Sequence, residues 1–406
     1  MTVVVYAIPV LTDNALRYLR GVARLPEVRL GVVSHKPLLA FPRDLQTRVL
    51  AHRTVANALD PDILTEAVQQ ISRRLGRVDR LLGMLEQIQG PLAEVRRRLD
   101  IPGMSPEVAR NFRDKDRMKA VLREAGLPVA RSRRITQPSD LEKLTDEVGF
   151  PIVVKPLQGA GARATFRVEN GDQLLQTMSQ IPAAPENPWQ AEEFVRGEEN
   201  TFETIFTQGK PRWWSGTRYL PGPLTVLENP WIQYTVLLPA EPETDFLEFR
   251  DINFAALKAL GLKTGLSHME WFRRDDGSMV ISEVGARPPG VHIMPLNTYA
   301  HQRDIIQAWG ALMVRGEFDP PRRVAAAGAA FFRGQGRGAR VVGVHGLDEA
   351  QREVGALVVE RQLPSLGQPK ASGYEGEGWA IVTHPETRTV AHALSRLVEL
   401  VRVELG

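Results

Sequence analysis

The sequence predicts an α/β amino-terminal domain followed by α+β structure, and three observations support this prediction. Over the first hundred residues, short apolar runs rich in β-branched residues alternate with helical patterns, as in a wound parallel sheet. From residue 149 onward, strands joined by turns replace this alternation. The 406 residues include 43% hydrophobic side chains, which is enough for the packed cores of two or three globular domains.

Charge and cysteine content exclude several classes of protein. The chain has 51 Lys and Arg against 48 Asp and Glu, so a net charge of +3 leaves no extended field to hold nucleic acid. Cysteine is absent, which excludes disulfides, thiolate nucleophiles and Cys-ligated metal sites. The apolar run at 324–332 is far too short to span a bilayer. We therefore expect a cytoplasmic protein without a nucleic-acid or membrane partner.

The first domain is predicted over residues 1–105. Its strands are expected at 3–8, 28–33 and 78–84, and its helices at 14–24, 63–75 and 91–99. Ligands of a wound parallel sheet lie beyond the carboxyl ends of the strands, which here means near Pro9, residues 34–35 and Glu86. The Gly-x-Gly-x-x-Gly pattern is absent, so a dinucleotide ligand is disfavoured.

Two more domains are predicted, over residues 106–320 and 321–406, because Ile-Pro-Gly-Met at 101–104 breaks the alternation. The middle domain begins with a helix at 114–125 and includes a lobe at 130–200, and its strands are expected at 149–156, 164–168, 190–195, 201–206 and 212–219. The last domain is α+β, with strands at 324–332 and 340–344, a glycine-rich turn at 334–338 and a closing helix at 386–405.

The most informative pair of residues is Glu270 and Glu283. Residues 267–284 are predicted to form two strands around Asp276-Gly277, a sequence favoured in two-residue hairpin turns. A turn centred there places the two glutamates directly opposite each other. Opposed carboxylates repel, and a hard cation such as Mg²⁺ would remove the repulsion while keeping positions for phosphate and water. A strand pair whose glutamates are simply in water explains the pattern equally well.

Two lysines are candidates for phosphate binding. Lys115 lies three residues before Met118 in the apolar stripe of a helix, so it points inward at the helix start. Lys155 ends an apolar strand and precedes a small-residue loop with Gly159 and Gly161, whose backbone N–H groups could approach phosphates. In isolation, Lys155 is also typical of a strand-terminal residue that extends its amine to water.

Arg287 lies four residues beyond Glu283, in a segment that contains two prolines and Gly290. A rigid loop there could aim the guanidinium group at a phosphate or a carboxylate. An arginine in a surface turn fits the same pattern.

The run from Gln190 to Glu199 leads from an extended segment into a turn at Gly197. A strand edge of this kind can offer backbone N–H and C=O groups to an adenine, and a carboxylate a few residues later can accept from ribose hydroxyls. By composition alone, the run is also compatible with a simple acidic turn.

Taken in chain order, these segments resemble the motifs of the ATP-grasp superfamily. The matching segments are Arg-Asp-Lys115-Asp-Arg-Met-Lys, Ile-Val-Val-Lys155-Pro, the loop from Gly159 to Arg163, Glu192-Glu193-Phe194-Val195-x-Gly-x-Glu199, His-Met-Glu270-Trp and Glu283-Val-Gly-Ala-Arg287-Pro-Pro-Gly. The branch that they resemble most is the carboxylate–amine ligases, which include bacterial L-amino-acid ligases. The resemblance implies an ATP-grasp fold with a Rossmann-like pre-ATP-grasp domain at residues 1–105 and a small carboxyl-terminal α+β domain.

The resemblance also implies an ADP-forming ligase that joins a small-molecule carboxylate to an amine through an acyl phosphate, with ATP and one or two Mg²⁺ ions. The implied roles are phosphate binding by Lys115 and Lys155, adenine binding by Glu192, Glu193, Phe194 and Val195, ribose binding by Glu199, magnesium binding by Glu270 and Glu283, and contact with the reacting group by Arg287. His268 is a candidate base for the amine, with a structural hydrogen bond as the alternative. A homodimer is compatible with the resemblance.

The chain departs from the family pattern at two places. Gly285 stands where many relatives have the Asn of Glu-x-Asn-x-Arg, so a second metal ion would lack its usual amide ligand. The loop at 158–163 has fewer glycines than in the biotin-carboxylase branch. Two alternatives therefore stay open: another ATP-grasp reaction, such as carboxylation or formyl transfer, and a nucleotide-binding sensor without turnover.

Overall fold

The computed structural model describes residues 1–157, 165–181, 184–185, 187–229, 231–371, 373 and 375–406. The loop with Gly159 and Gly161 lies outside these residues. Of the helices in the described parts of the chain, none has the length and apolar character needed to cross a membrane.

The amino-terminal unit is a parallel sheet with helices packed against it. Its strands are β1 (Thr2–Ile8), β2 (Val28–Ser34), β3 (Val49–Thr54) and β4 (Arg80–Leu82), in the order β3-β2-β1-β4. Its helices are α1 (Asp13–Ala23), α2 (Arg43–Gln46), α3 (Pro61–Leu75) and α4 (Gln89–Arg98). The expected strands and helices are confirmed. The sequence pattern does not predict β3, because this edge strand buries only Val49 and Ala51 and exposes Arg53 and Thr54.

Two helices and a small lobe follow. The helices are α5 (Pro106–Arg113) and α6 (Lys115–Glu124). Asp114 caps α6, because its carboxylate accepts from the backbone N–H groups of Asp116 and Arg117, both at 3.1 Å. The lobe is an antiparallel sheet in the order β5-β8-β6-β7 with two helices packed on it. Its elements are β5 (Ser132–Ile135), α7 (Pro138–Val148), β6 (Ile152–Pro156), β7 (Phe166–Val168), α8 (Gly171–Gln180) and β8 (Trp189–Glu193).

A large antiparallel sheet forms the centre of the molecule. The remaining strands among the described residues are β9 (Glu198–Thr207), β10 (Lys210–Leu220), β11 (Tyr234–Leu238), β12 (Gly265–Arg273), β13 (Met279–Gly285), β14 (Ala326–Phe332), β15 (Gly334–Gln335), β16 (Val341–His345), β17 (Val358–Gln362), β18 (Gly378–His384) and β19 (Arg402–Leu405). The large sheet has the order β13-β12-β9-β10-β11-β14-β18-β17, and β15, β19 and β16 form a separate three-stranded sheet in the order β15-β19-β16. The remaining helices are α9 (Pro223–Glu228), α10 (Thr244–Ala259), α11 (Ile293–His301), α12 (Ile305–Arg315), α13 (Leu347–Val354) and α14 (Thr387–Leu400).

The carboxyl-terminal segment does not continue as a helix to Leu405, so this expectation is wrong. The helix α14 ends at Leu400 and the chain continues as β19. Buried Val403 and Leu405 alternate with exposed Arg402 and Glu404, which is the period of two that a strand requires.

One core cluster holds α6 against the hairpin of β12 and β13. Phe249 of α10 stacks on Trp271 of β12, with ring centroids 4.1 Å apart. Met118 of α6 belongs to the same cluster, and its Sδ accepts from the backbone N–H of Val284 at 3.2 Å. The polar side chains at the start of α6 therefore lie beside those of the two strands.

Candidate active site

Glu270 and Glu283 are cross-strand neighbours on β12 and β13, as the sequence predicts. The predicted two-residue turn is wrong, because Arg273 pairs with Met279 and five residues join the strands. The register shifts by one residue between Glu270 and Trp271, which makes Ser282 the extra residue of a β-bulge. The bulge restores the alignment that the shorter turn would have produced, so the two carboxylates still face each other.

The neighbouring strand β9 completes one polar face. His268 pairs with Glu203, Glu270 with Thr201, and Phe272 with Glu199 across β12 and β9. Because alternate residues of a strand share a face, these side chains all lie on one side of the sheet. Glu203 is fully buried and was not predicted, since its partner strand is known only from the fold.

His268 joins the buried Glu203 to Glu270. Its Nδ1 lies 2.8 Å from Oε1 of Glu203, and its Nε2 lies 3.6 Å from Oε1 of Glu270. Burial alone would lower the pKa of His268, but the two carboxylates raise it to about 9. The two carboxylates therefore favour the protonated ring, and the role of His268 as the base stays a prediction. Its position fits the structural alternative, a cationic partner of Glu270.

Lys115 lies at the start of α6 and points inward, as predicted. Its Nζ is 3.1 Å from Oε1 of Glu283, and its side chain is only 7% exposed. Each of the two facing carboxylates thus has a cationic neighbour: Lys115 beside Glu283 and His268 beside Glu270.

Glu192 lies between two lysines. Its carboxylate forms ion pairs with Lys155 of the lobe and with Lys119, one turn after Lys115 on α6. Burial alone would raise the pKa of Glu192, but the two ammonium groups lower it to about 2. Lys119 is a residue of this cluster that the sequence motifs miss, although its spacing of four residues from Lys115 puts both on one helix face.

Lys155 and Arg287 both experience the charge of the glutamate pair. Burial lowers the pKa of Lys155, but the carboxylates of Glu192, Glu283 and Glu270 raise it above its ordinary value. Burial likewise opposes the charge on Arg287, and Glu86, Glu283 and Glu270 together raise its pKa. These two cations therefore lie close enough to interact with the carboxylate pair, and their roles in one site stay a prediction.

The amino-terminal unit reaches this site through Glu86. Its Oε2 accepts from Nε of Arg287 at 2.6 Å, and its Oε1 accepts from Nη1 of Arg113 at 2.7 Å. The other predicted strand-end positions have partners inside their own unit: Ser34 Oγ lies 2.8 Å from Nε2 of His52, and His35 Nε2 accepts from the Ala58 N–H at 2.8 Å.

A cavity of about 330 Å³ lies beside the polar face. Its lining includes Phe194, Val195, Glu199, Tyr219, Leu224 and Phe272. Burial and, next in importance, the charge of Glu270 raise the pKa of Glu199 to about 8. Glu192 and Glu193 do not line this cavity, since Glu193 binds Arg131 and Arg274. Within the predicted adenine segment, Phe194 and Val195 are thus the residues that reach the cavity.

Glu270 and Glu283 fit a magnesium ion by their chemistry. Among the described residues, no group of three or more His, Cys, Asp or Glu side chains is arranged to hold a metal. Mg²⁺ is commonly held by one or two carboxylates together with substrate phosphates and water. Two hard oxygen ligands beside Lys155 and Arg287 meet that requirement.

Comparisons with known proteins agree with the motifs. Residues 120–293 match the family model described as the ATP-grasp domain. The L-arginine-specific L-amino acid ligase of Bacillus subtilis is 26% identical over 195 residues, which cover 47% of this chain and 46% of that protein. The alanine–anticapsin ligase of Bacillus subtilis is 30% identical over 156 residues, or 34% of this chain and 32% of that protein. The matches span less than half of either relative.

The similarity of fold extends over the whole chain. The crystal structure of the L-amino acid ligase from Bacillus licheniformis superposes with a TM-score of 0.81 at 20% identity, covering 100% of this chain and 99% of that one. The fold class expected from the sequence is therefore confirmed. The chain thus has the fold of that ligase, and residues 120–293 within it are similar to the ATP-grasp domain.

Proposed function

We propose that this protein is an ATP-dependent ligase that joins an amino-acid-like carboxylate to an amine and releases ADP and phosphate. The observation that carries the proposal is the facing pair Glu270 and Glu283, with Lys115 at 3.1 Å from Glu283 and the partly buried cations Lys155 and Arg287 nearby. Such a set of carboxylates and cations suits the transfer of a charged phosphoryl group. Two curated relatives that are themselves amino acid ligases support the choice of substrates.

Each residue has a defined task in this proposal. Glu270 and Glu283 would hold Mg²⁺, which when bound supplies positive charge to the phosphates. Lys155 and Arg287 add fixed positive charge at the transferring group, and Lys115 keeps the carboxylate of Glu283 in place. The cavity bordered by Phe194, Val195 and Glu199 would take the nucleoside, with Glu199 accepting from ribose hydroxyls.

The reaction would take place in two balanced steps. A carboxylate oxygen of the acid forms a bond to the γ-phosphorus of ATP, and the bond from that phosphorus to the β,γ-bridging oxygen breaks to release ADP. The amine nitrogen then attacks the acyl carbon, the bond between that carbon and the phosphate oxygen breaks, and the proton lost by nitrogen leaves with phosphate or water. No protein nucleophile is needed, because each step uses atoms of the substrates.

The test is ADP and phosphate release from ATP with pools of amino acids, with bicarbonate and formate as separate arms. We expect release to require two amino acids, and hydroxylamine in place of the amine to trap the acyl phosphate as a hydroxamate. Arg287→Ala should abolish the trap, whereas Arg212→Ala, a change at an exposed arginine of β10, should not. AMP and pyrophosphate as products would contradict the proposal.

A nucleotide-binding sensor is the second candidate, and Gly285 is the observation that favours it. The glycine removes a side chain that could ligate a second metal ion. Tight Mg·ATP binding without ADP release in any arm of the assay would support the sensor. Release with bicarbonate or formate, and without an amino acid, would instead indicate carboxylation or formyl transfer.

A further inference from the structure

Residue 285, at the end of β13, is a glycine, and the side chains of Glu86 and Arg287 lie close to where its Cβ would be. A Cβ atom built on Gly285 would lie 3.4 Å from Oε2 of Glu86, 3.6 Å from Cγ of Arg287 and 3.7 Å from its Nε. A methyl group fits at these distances. A longer side chain would have to share this space with the carboxylate of Glu86 and the guanidinium of Arg287.

The carboxylate of Glu86 forms ion pairs with two arginines. Its side chain is only 8% exposed, and each of its oxygens accepts from a different arginine, Arg113 or Arg287. Burial alone would raise the pKa of Glu86, but the two guanidinium groups keep it below its ordinary value. Breaking such a buried pair is costly, because the remaining charge loses its partner.

The contacts of Arg287 determine which part of its guanidinium remains for a substrate. Nε donates to Glu86 at 2.6 Å, and Nη1 donates to the carbonyl oxygen of Pro288 at 2.9 Å. Within the described residues, Nη2 has no hydrogen-bond partner in the protein. The ion pair with Glu86 therefore fixes the orientation of the guanidinium group and leaves its Nη2 edge available to bind an anion.

We propose that Glu86 is a positioning residue for Arg287, and that residue 285 is glycine because a longer side chain would displace this ion pair. The amino-terminal unit thereby supplies part of the phosphoryl-transfer site, although the side chain of Glu86 need not touch the substrate. Two residues 201 positions apart in the sequence act as one unit. The inference rests on the proposed function for the role of Arg287 and on geometry alone for the ion pair.

The ion pair is tested first by stability, without any substrate. Glu86→Gln, Arg287→Met and the double variant form a cycle in urea unfolding, and we expect their unfolding constants to be non-additive by about tenfold. The same cycle is repeated in the Gly285→Ala and Gly285→Asn backgrounds. Coupling should persist with alanine and fall with asparagine, whose amide competes for the same space. Additive effects in the parent protein, or equal coupling in both backgrounds, would overturn the proposal.

The positioning role is tested by kinetics. Glu86→Gln should lower kcat by about tenfold or more. It should leave KM for ATP nearly unchanged, because ATP binding does not depend on the orientation of the Arg287 guanidinium group. Glu94→Gln, at a partly exposed glutamate of α4 that forms ion pairs with Arg97 and Arg98, is the matched control and should retain the parent kcat. Glu86→Asp keeps the charge on a shorter side chain and should recover part of the lost kcat. If Glu86→Gln does not fold at the assay temperature, the aspartate variant provides the comparison with Glu94→Gln.

Two outcomes separate this inference from the proposed function. If the parent protein releases no ADP with any substrate pool, the ligase proposal fails and the unfolding cycle alone decides whether Glu86 holds Arg287. If the parent is active and Glu86→Gln lowers only the free energy of unfolding, with kcat intact, Glu86 is a structural residue and the positioning role is refuted.

Discussion

The Nζ atom of Lys115 lies 3.1 Å from Oε1 of Glu283, so the first residue of α6 neutralises one of two facing carboxylates. His268 has the same relation to Glu270, at 3.6 Å. The repulsion expected for opposed glutamates is therefore offset by the protein itself, before any metal binds. A magnesium ion would bind to carboxylates that are already oriented by cations, which reduces the reorganisation that binding requires.

Lys155→Ala should weaken the binding of Mg·ATP sharply, because a charge-assisted contact to phosphate would be lost from the site. Calorimetry on the variant and on Lys143→Ala, an exposed lysine of the same lobe, provides the comparison. An unchanged affinity in Lys155→Ala would remove this lysine from the nucleotide site and leave it only its ion pair with Glu192.

Glu270→Gln and Glu283→Gln should each lower turnover by about 100-fold or more, since a metal-binding carboxylate becomes a neutral amide. The fold should be retained, because each substitution also relieves the repulsion between the pair. Circular dichroism checks the fold, and ADP release is measured over a range of magnesium concentrations. Normal turnover of both variants at low magnesium would refute the two-carboxylate metal site.

Lys119→Met should affect stability more than nucleotide binding. The Lys119 side chain is only 1% exposed and shares Glu192 with Lys155, so its removal leaves a buried carboxylate with one partner instead of two. We expect a loss of about 1–3 kcal/mol in the free energy of unfolding, measured in urea. If adding Glu192→Gln to Lys119→Met lowered the free energy of unfolding by a further, equal amount, the two residues would not form the coupled pair described here.

Acid should destabilise the protein through His292, whose ring contacts that of Trp379 at a tilt, with centroids 4.1 Å apart. Burial and then the charge of Arg17 lower the pKa of His292 from 6.5 to about 4. Between these two values the unfolded chain binds the proton and the folded chain does not, so the free energy of unfolding falls as pH falls and levels off below about 4. The whole effect is on the order of 3 kcal/mol.

His292 has φ 61°, a left-handed conformation that asparagine tolerates, so His292→Asn is the suitable variant. Urea unfolding of the variant should show a flatter pH dependence from pH 6.5 to 4 than the parent protein does. An identical slope in both proteins would assign the acid sensitivity to other groups, such as His301, whose pKa burial also lowers to about 4.

Arg333→Met should raise KM for ATP by a few-fold. The Nη1 atom of Arg333 donates to the carbonyl oxygens of Val226 at 2.5 Å, and of Asn229 and Ile232 at 3.3 Å. Val226 lies in the last turn of α9, and Asn229 and Ile232 follow this helix. Leu224 and Thr225 of the same helix line the cavity. Removing three hydrogen bonds should loosen this wall of the cavity. A KM equal to that of the parent, with lowered stability only, would show that the wall does not contact the nucleotide.

Much of the site was predictable because its signals are local. A hairpin turn centred on Asp276-Gly277 predicts that Glu270 lies opposite Glu283, and a helix period of 3.6 predicts that Lys115 points inward; the structure agrees with both. The order of the motifs along the chain was enough to predict the fold class. Even so, the hairpin alignment was correct only because the bulge at Ser282 compensates for a turn longer than predicted.

The parts that the sequence could not predict depend on contacts between distant elements. Glu86 and Arg287 are 201 residues apart, and Lys119 and Glu192 are 73 apart, so no local pattern connects them. The raised pKa of His268 depends in part on Glu203 of the neighbouring strand, 65 residues away. The sequence by itself thus determined which side chains are charged and which face of each element they occupy. Only the tertiary structure decided which opposite charges meet, because burial and pairing are properties of the assembled core.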